Sequence, residues 1–224
     1  MVKIHTLHGF LGKPSDWSFL PHAIHEELYG NIAPYKKWAK RFLSTVDANQ
    51  TNYVAGYSLG GRLAMHALLE NPSVWNGAII VSAHPGLKDP LQRKARVDED
   101  KRWANQFQEK PWCTLVDDWN QLPVFHGSLK AAPKESEHDR KALSEMLTTW
   151  SLGYQENLLP KVEQLEIPIL WITGELDTKF SSLEIKLKHP KSQKLIATQT
   201  GHRVLLEQSK WIREHILTFI KETS

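Results

Sequence analysis

The stretch VAGYSLGGRLAMHALL, Val54 to Leu69, changes its periodicity halfway along. Up to Ser58 it is apolar and strand-like; from Leu59 the apolar positions recur at helical spacing, and the helix stops near Pro72. Ser58 therefore stands at a strand-to-helix turn, within the pattern G-x-S-x-G formed by Gly56, Ser58 and Gly60 and followed by Gly61. So sharp a reversal strains the serine backbone and crowds its neighbours until a Cβ at the flanking positions collides with main chain. The hydroxyl is thereby lifted onto the tip of a turn, at a helix N-terminus whose dipole favours developing negative charge. A serine presented in this way reads as a nucleophile or proton relay.

Outward from this turn, strand and helix patterns alternate. Val2 to Leu7 is β-rich and ends in the glycine-bounded loop HGFLG; SDWSFLPHAIHEEL follows, and Ser15 or Asp16 is placed to cap a helix there. PYKKWAKRFLSTV carries Trp38, Phe42 and Val46 at helical spacing. WNGAIIVSAHPGL, IPILWITGELD and KLIATQTGH read as further strands, and KWIREHILTFIKE as a closing helix. This order predicts an α/β fold, a mostly parallel sheet with helices on both faces. From Leu87 to about Trp150 no strand is evident, and the charged and aromatic-rich sequence reads as a helical cap inserted at the carboxyl edge of the sheet. The expected organisation is a core over residues 1–86 and 151–224, interrupted by a cap over 87–150.

Composition narrows the function classes. The 224 residues suit one domain with a substantial core, and 24% charged with 41% hydrophobic residues is globular. A formal charge of +3 gives no electrostatic footprint for nucleic acid. No apolar run reaches the ~18 residues of a membrane span, and MVKIHTLHGF enters a strand without a signal-peptide core; a cytoplasmic enzyme is expected, with no membrane association. Cys113, the single cysteine, is expected to be a small buried hydrophobe, and the scattered histidines show no metal-ligand spacing. The basic run Lys88 to Arg102 is interleaved with Asp89, Asp98, Glu99 and Asp100, as on a solvated helix face.

A serine relay needs a base, and the base an orienting carboxylate. Asp177 follows one predicted strand and His202 the last, giving the order Ser, Asp, His along the chain. On a parallel sheet the carboxyl ends of the strands share one edge, so the three converge there. A backbone N–H of the His8-Gly9-Phe10 loop, with that of Leu59, supplies an oxyanion hole, each donor worth about 3 kcal/mol in the transition state. His8 itself is expected to fix the loop.

With these elements in place the chain resembles the α/β-hydrolase fold and, more narrowly, is similar to the 2-succinyl-6-hydroxy-2,4-cyclohexadiene-1-carboxylate (SHCHC) synthases of menaquinone biosynthesis. The similarity runs through LHGFLG with DW after it, GYSLGGRLAMHAL, HPGL followed by QRKAR and RWA, WNQLPVF, GELDTKF and TGH. It implies a triad of Ser58, Asp177 and His202, oxyanion donors at Phe10 and Leu59, and substrate contacts at Tyr57, Arg62, Arg96 and Trp119. It also implies a lyase that expels pyruvate from a small substrate bearing several carboxylates, with no metal, organic cofactor or protein partner. Guanidinium suits such a substrate, which singles out Arg96 in the basic run, with Arg93 beside it, and leaves Lys88, Lys94 and Lys101 to solvent. A serine hydrolase of a small carboxylate-bearing ester, thioester or C–C bond is the alternative. Two features depart from the family: the segment between Gly9 and Ser58 is short, which reduces an edge strand or pocket wall, and GHRVLLEQS stands where the family tends to GHNxHxENP, placing Arg203 and Leu205 at altered positions.

Overall fold

The computed structural model describes residues 2–224. The strands β1 (Val2–Leu7), β2 (Ile24–Glu26), β3 (Thr51–Tyr57), β4 (Gly77–Val81), β5 (Ile169–Gly174) and β6 (Gln193–Ala197) form one sheet in the order β2-β1-β3-β4-β5-β6. Every pairing is parallel, from Leu7 opposite Gly56 to Gly174 opposite Ala197. The sheet is thus the α/β type expected.

Alternation along the central strands explains the two layers around it. Val54, Ala78, Ile80, Ile169 and Trp171 face a core shared with α1 (Tyr35–Leu43) and α2 (Leu59–Glu70). Their neighbours Tyr53, Ala55, Ile79, Val81, Leu170 and Ile172 face Ile212, Ile216 and Phe219 of the last helix, Ser209–Thr223. Strands buried on both faces need apolar residues at consecutive positions, as AIIV and ILWI provide.

Between β4 and β5 the chain forms α3 (Pro90–Glu109), α4 (Trp112–Asn120), α5 (Arg140–Thr149) and the short α6 (Leu159–Val162), with short 3₁₀ turns and no strand. Asp89 caps α3 by accepting from the Leu91 amide, and Asp139 caps α5 through Lys141 and Ala142. These helices bury Ala104, Phe107, Leu115, Leu143 and Met146 in the same core as α1 and α2. The insertion is an extension of one hydrophobic layer.

Two expectations are corrected. SDWSFLPHAIHEEL does not make a helix: Pro14–Trp17 is a single 3₁₀ turn, and Ile24–Glu26 is the edge strand β2, parallel to β1. The Asp16 carboxylate accepts from the Lys13 amide behind it, and the Trp17 indole is buried and donates to Leu7 O, so the chain folds onto β1; Pro21 and the left-handed His22 (φ 59°) then exclude a helix. The edge strand is thus present and three residues long. Cys113 is exposed, because α4 turns Trp112, Leu115 and Val116 inward and leaves residue 113 on the opposite side.

Candidate active site

Ser58 has φ 52° and ψ −110°, a conformation that costs a non-glycine residue about 1–3 kcal/mol. The surroundings enforce it: the Ser58 amide donates to Val81 O at 2.9 Å, and its carbonyl accepts from the Arg62 amide at 3.1 Å. A Cβ on Gly56 would lie 2.3 Å from Gly60 O, and one on Gly60 2.2 Å from Leu7 O. One on Gly61 would meet Ala83 Cβ at 2.5 Å. The glycines are thus required by close approach, as the sequence implied.

Two further strand ends meet the elbow. Past β5 the chain turns into α7 (Thr178–Ser181), with Asp177 at its head; past β6 it reaches His202, just before α8 (Val204–Glu207). These loops are laced together: Glu175 and Leu176 amides donate to Ala197 O and Thr200 O, and a Cβ on Gly174 would lie 2.1 Å from Gly201 O. Glu207 accepts from the Gly201 amide at 3.0 Å, holding the histidine loop from behind. The result is His202 Nδ1 at 2.6 Å from Asp177 Oδ2 and Nε2 at 3.0 Å from Ser58 Oγ. A carboxylate can only accept from Nδ1–H, so Nε2 is left to accept the serine proton. Asp177 and His202 are both buried, and the rings of Tyr57, Phe125 and Phe180 surround the imidazole at 5.8, 5.7 and 4.9 Å.

The loop after β1 places the remaining donors. His8 is fully buried; its Nδ1 donates to Gly9 O at 2.8 Å, while Nε2 accepts from the Leu28 amide at 3.4 Å. Gly9 O also accepts from the Gly12 amide at 3.1 Å. In a trans peptide, fixing the Gly9 carbonyl fixes the Phe10 N–H on the other side of the same plane. Neither this amide nor that of Leu59, the first residue of α2, donates to another group among the described residues, and both residues line the cavity over Ser58.

That cavity, about 970 Å³, lies between the sheet edge and the inserted helices. Arg62 rises into it from α2, its Nη1 donating to Trp150 O at 2.8 Å and to the Tyr35 hydroxyl. No carboxylate lies within ion-pair distance of it among the described residues, and burial draws its pKa below the ordinary arginine value. Arg96 enters from α3, with Nε held by both oxygens of buried Asp100 at 2.9 Å. Lys179, from α7, faces the same wall; burial and then Arg96 lower its pKa. His84 stays neutral there, brought to about 4 by burial and then by Lys179, Arg62 and Arg96. Its Nδ1 accepts from the Gly86 amide at 3.0 Å, which leaves Nε2–H as a donor. Trp119 packs against Phe10 at 4.9 Å, Trp103 at 4.9 Å and Phe107 at 5.4 Å, so it forms an aromatic wall beside the oxyanion loop.

All nine residues singled out from the sequence, Phe10, Tyr57, Ser58, Leu59, Arg62, Arg96, Trp119, Asp177 and His202, line this one cavity. Arg93 does not: its Nε donates to Gly153 O at 3.0 Å and fastens the start of α3 to the chain leaving α5. Tyr35, His84, Asp100, Phe125, Phe180 and Glu207 had no assigned role. Only the i, i+4 spacing of Arg96 and Asp100 was a readable signal.

The alpha/beta hydrolase fold family model matches residues 8–209. The SHCHC synthase of Serratia proteamaculans is 30% identical over 236 aligned positions, covering 96% of this chain and 91% of that protein. That of Yersinia pseudotuberculosis is 30% identical, over 88% of this chain and 80% of its own. Among solved structures, MenH from S. aureus superposes with a TM-score of 0.86 at 22% identity, over 99% of this chain and 94% of that one. Agreement over nearly the whole length of both chains, on a fold of this topology, makes the protein a member of the SHCHC synthase family within the alpha/beta hydrolase fold.

Proposed function

We propose that this protein is an SHCHC synthase of menaquinone biosynthesis, eliminating pyruvate from 2-succinyl-5-enolpyruvyl-6-hydroxy-3-cyclohexene-1-carboxylate. His202, directly or through Ser58, takes the proton from ring carbon 2, α to the succinyl ketone. The ketone oxygen becomes an enolate held by the Phe10 and Leu59 amides. The electron pair then forms the 2,3 double bond, the ring alkene shifts to 4,5, and the bond from carbon 5 to the enolpyruvyl oxygen breaks. The departing enolate takes a proton and becomes pyruvate. No water is consumed and no electrons leave the substrate. Asp177 stabilises the imidazolium formed on the way.

The observation that carries this reading is the wall beside the triad: Arg62 has no counter-ion in reach among the described residues, and Arg96, Lys179 and neutral His84 stand with it. A pocket so furnished fits a substrate with several carboxylates better than a simple ester. Tyr57 and Trp119 supply flat apolar surface for the ring. The elbow geometry of Ser58 equally suits acyl transfer, so a hydrolase of a small carboxylate-bearing ester is the second reading. Pyruvate release from the pathway substrate, followed with coupled lactate dehydrogenase, supports the lyase when no acyl-Ser58 adduct is found by intact mass. Turnover of p-nitrophenyl esters through such an adduct, without pyruvate release, replaces it with the hydrolase.

A further inference from the structure

Arg203 directly follows His202, and nothing in the mechanism above uses it. Only 7% of it is exposed. Its guanidinium carbon lies 3.9 Å over the Phe125 ring, and Nη1 donates to Leu129 O at 2.7 Å. Both anchors are neutral. Glu207, one helical turn on, is engaged by the Gly201 amide and makes no ion pair with Arg203. Nε and Nη2 donate to no group among the described residues, yet they are not sealed in protein: Arg203 lines the cavity beside Tyr57 and His202. A desolvated guanidinium without a counter-ion is costly, and one held over a ring with Nε and Nη2 unengaged presents two parallel N–H donors in the geometry a carboxylate accepts. Burial draws its pKa below the ordinary arginine value, against the pull of Tyr57 and Glu207.

Arg62 and Arg96 stand on a different wall, formed by α2 and α3 with Asp100 and Trp150. We propose that Arg203 binds a further carboxylate of the substrate on the histidine side of the pocket, so that the site selects compounds with at least three carboxylates. The inference rests on the lyase reading for its natural substrate, but the anion site has its own test. The consequence for specificity is direct. A dicarboxylate satisfies Arg62 and Arg96 and leaves the Arg203 fork empty; a tricarboxylate fills all three.

The experiment compares wild type with R203M, which keeps length and apolar contact, and R203K, which keeps charge without the planar fork. R203Q substitutes for R203M should that variant fail to fold. Two readouts are taken: kcat and KM for pyruvate release, and the rate at which a fluorophosphonate labels Ser58, which needs the triad and no carboxylate. The expected result is a KM raised more than ten-fold in R203M and partly restored in R203K, with labelling slowed less than two-fold. An unchanged KM overturns the proposal. So does labelling that falls in step with kcat equally in R203M and R203K, which makes Arg203 a clamp on the Phe125–Leu129 segment. Should wild type be labelled yet release no pyruvate, the lyase reading falls, and Arg203 is judged by protection. Propane-1,2,3-tricarboxylate slowing the labelling of wild type and not of R203M upholds the anion site; equal slowing, or none in either, overturns it.

Discussion

Replacing Gly60 by alanine separates the elbow's role in catalysis from its role in stability. The new Cβ lies 2.2 Å from Leu7 O and 2.5 Å from His8 O, and both are main chain. To reach even 3.0 Å the end of β1 must retreat by roughly 0.8 Å, an overpacking strain of about 1–3 kcal/mol. Alanine returns up to about 1 kcal/mol through its helix propensity. The net loss is about 1–2 kcal/mol, a Tm lowered by roughly 2–8 °C for a chain of this length. Activity suffers far more, because the strand end that moves carries His8, Gly9 and the Phe10 amide. A displacement near 1 Å at a reacting centre costs about 100-fold, comparable with deleting one oxyanion donor. Gly60→Ala is therefore expected to fold, to melt a few degrees early and to lose about 100-fold in kcat and in Ser58 labelling at 25 °C. Gly30→Ala, whose Cβ meets nothing within 4 Å, serves as the control and should match wild type in both. A Gly60→Ala protein with kcat within three-fold of wild type would refute the link between this close approach and the oxyanion loop.

Ser58→Ala and His202→Ala should each abolish most activity and the double variant little more, since the two share one proton path; multiplicative losses in kcat would mean independent roles. Arg62→Met and Arg96→Met should each weaken kcat/KM by about 1.5–3 kcal/mol, the worth of a charge-assisted hydrogen bond, with the larger Tm loss in Arg96→Met because Asp100 is left buried and unpaired. His66 stacks on Tyr35 at 4.2 Å, and its pKa is lowered to about 4 by burial and then by Arg62. The unfolded chain therefore binds its proton first as pH falls. The stability this neutral histidine allows is complete above about 6.5 and is lost between 6.5 and 4, to an extent of about 3 kcal/mol. Thermal melts should fall across that window, and His66→Phe, which keeps the ring stack, should flatten the slope; an unchanged slope would remove His66 as the cause.

The elbow, the order of Ser58, Asp177 and His202, and the parallel sheet were legible because each writes a local pattern: glycines at fixed offsets, a change of period, an apolar run. The edge strand β2 was not, since three residues, Ile24 to Glu26, are too few to establish an alternation, and their pairing with β1 is a tertiary event. The support of the arginines was hidden for a related reason. Tyr35 and Trp150, 115 positions apart from each other, meet at the Arg62 guanidinium, and no local spacing announces that contact. Phe125 and Phe180, which flank the imidazole, come from a 3₁₀ turn and a one-turn helix, elements too short for aromatic residues to show a period.

Trp150 closes the inserted helices onto the core. Its carbonyl receives Arg62 and Tyr35, its indole donates to Ala33 O at 2.7 Å, and Arg93 grips Gly153 O three residues later. Arg93 ties the two ends of the insertion to each other and Trp150 ties them to the core, so a swing of the insertion as a rigid lid would have to break the Trp150 contacts. The opposite rim, residues 121–138, is built of turns and is pinned by side-chain contacts such as Arg203 to Leu129 O and Trp112 to Pro133 O, so traffic through the cavity is expected there. Amide exchange should accordingly be slow through α3 and α5, at the pace of the sheet, and fast from Gln121 to His138. Product departure is then timed by the fluctuation of one surface loop, a local event on a far shorter clock than the unfastening of a whole layer.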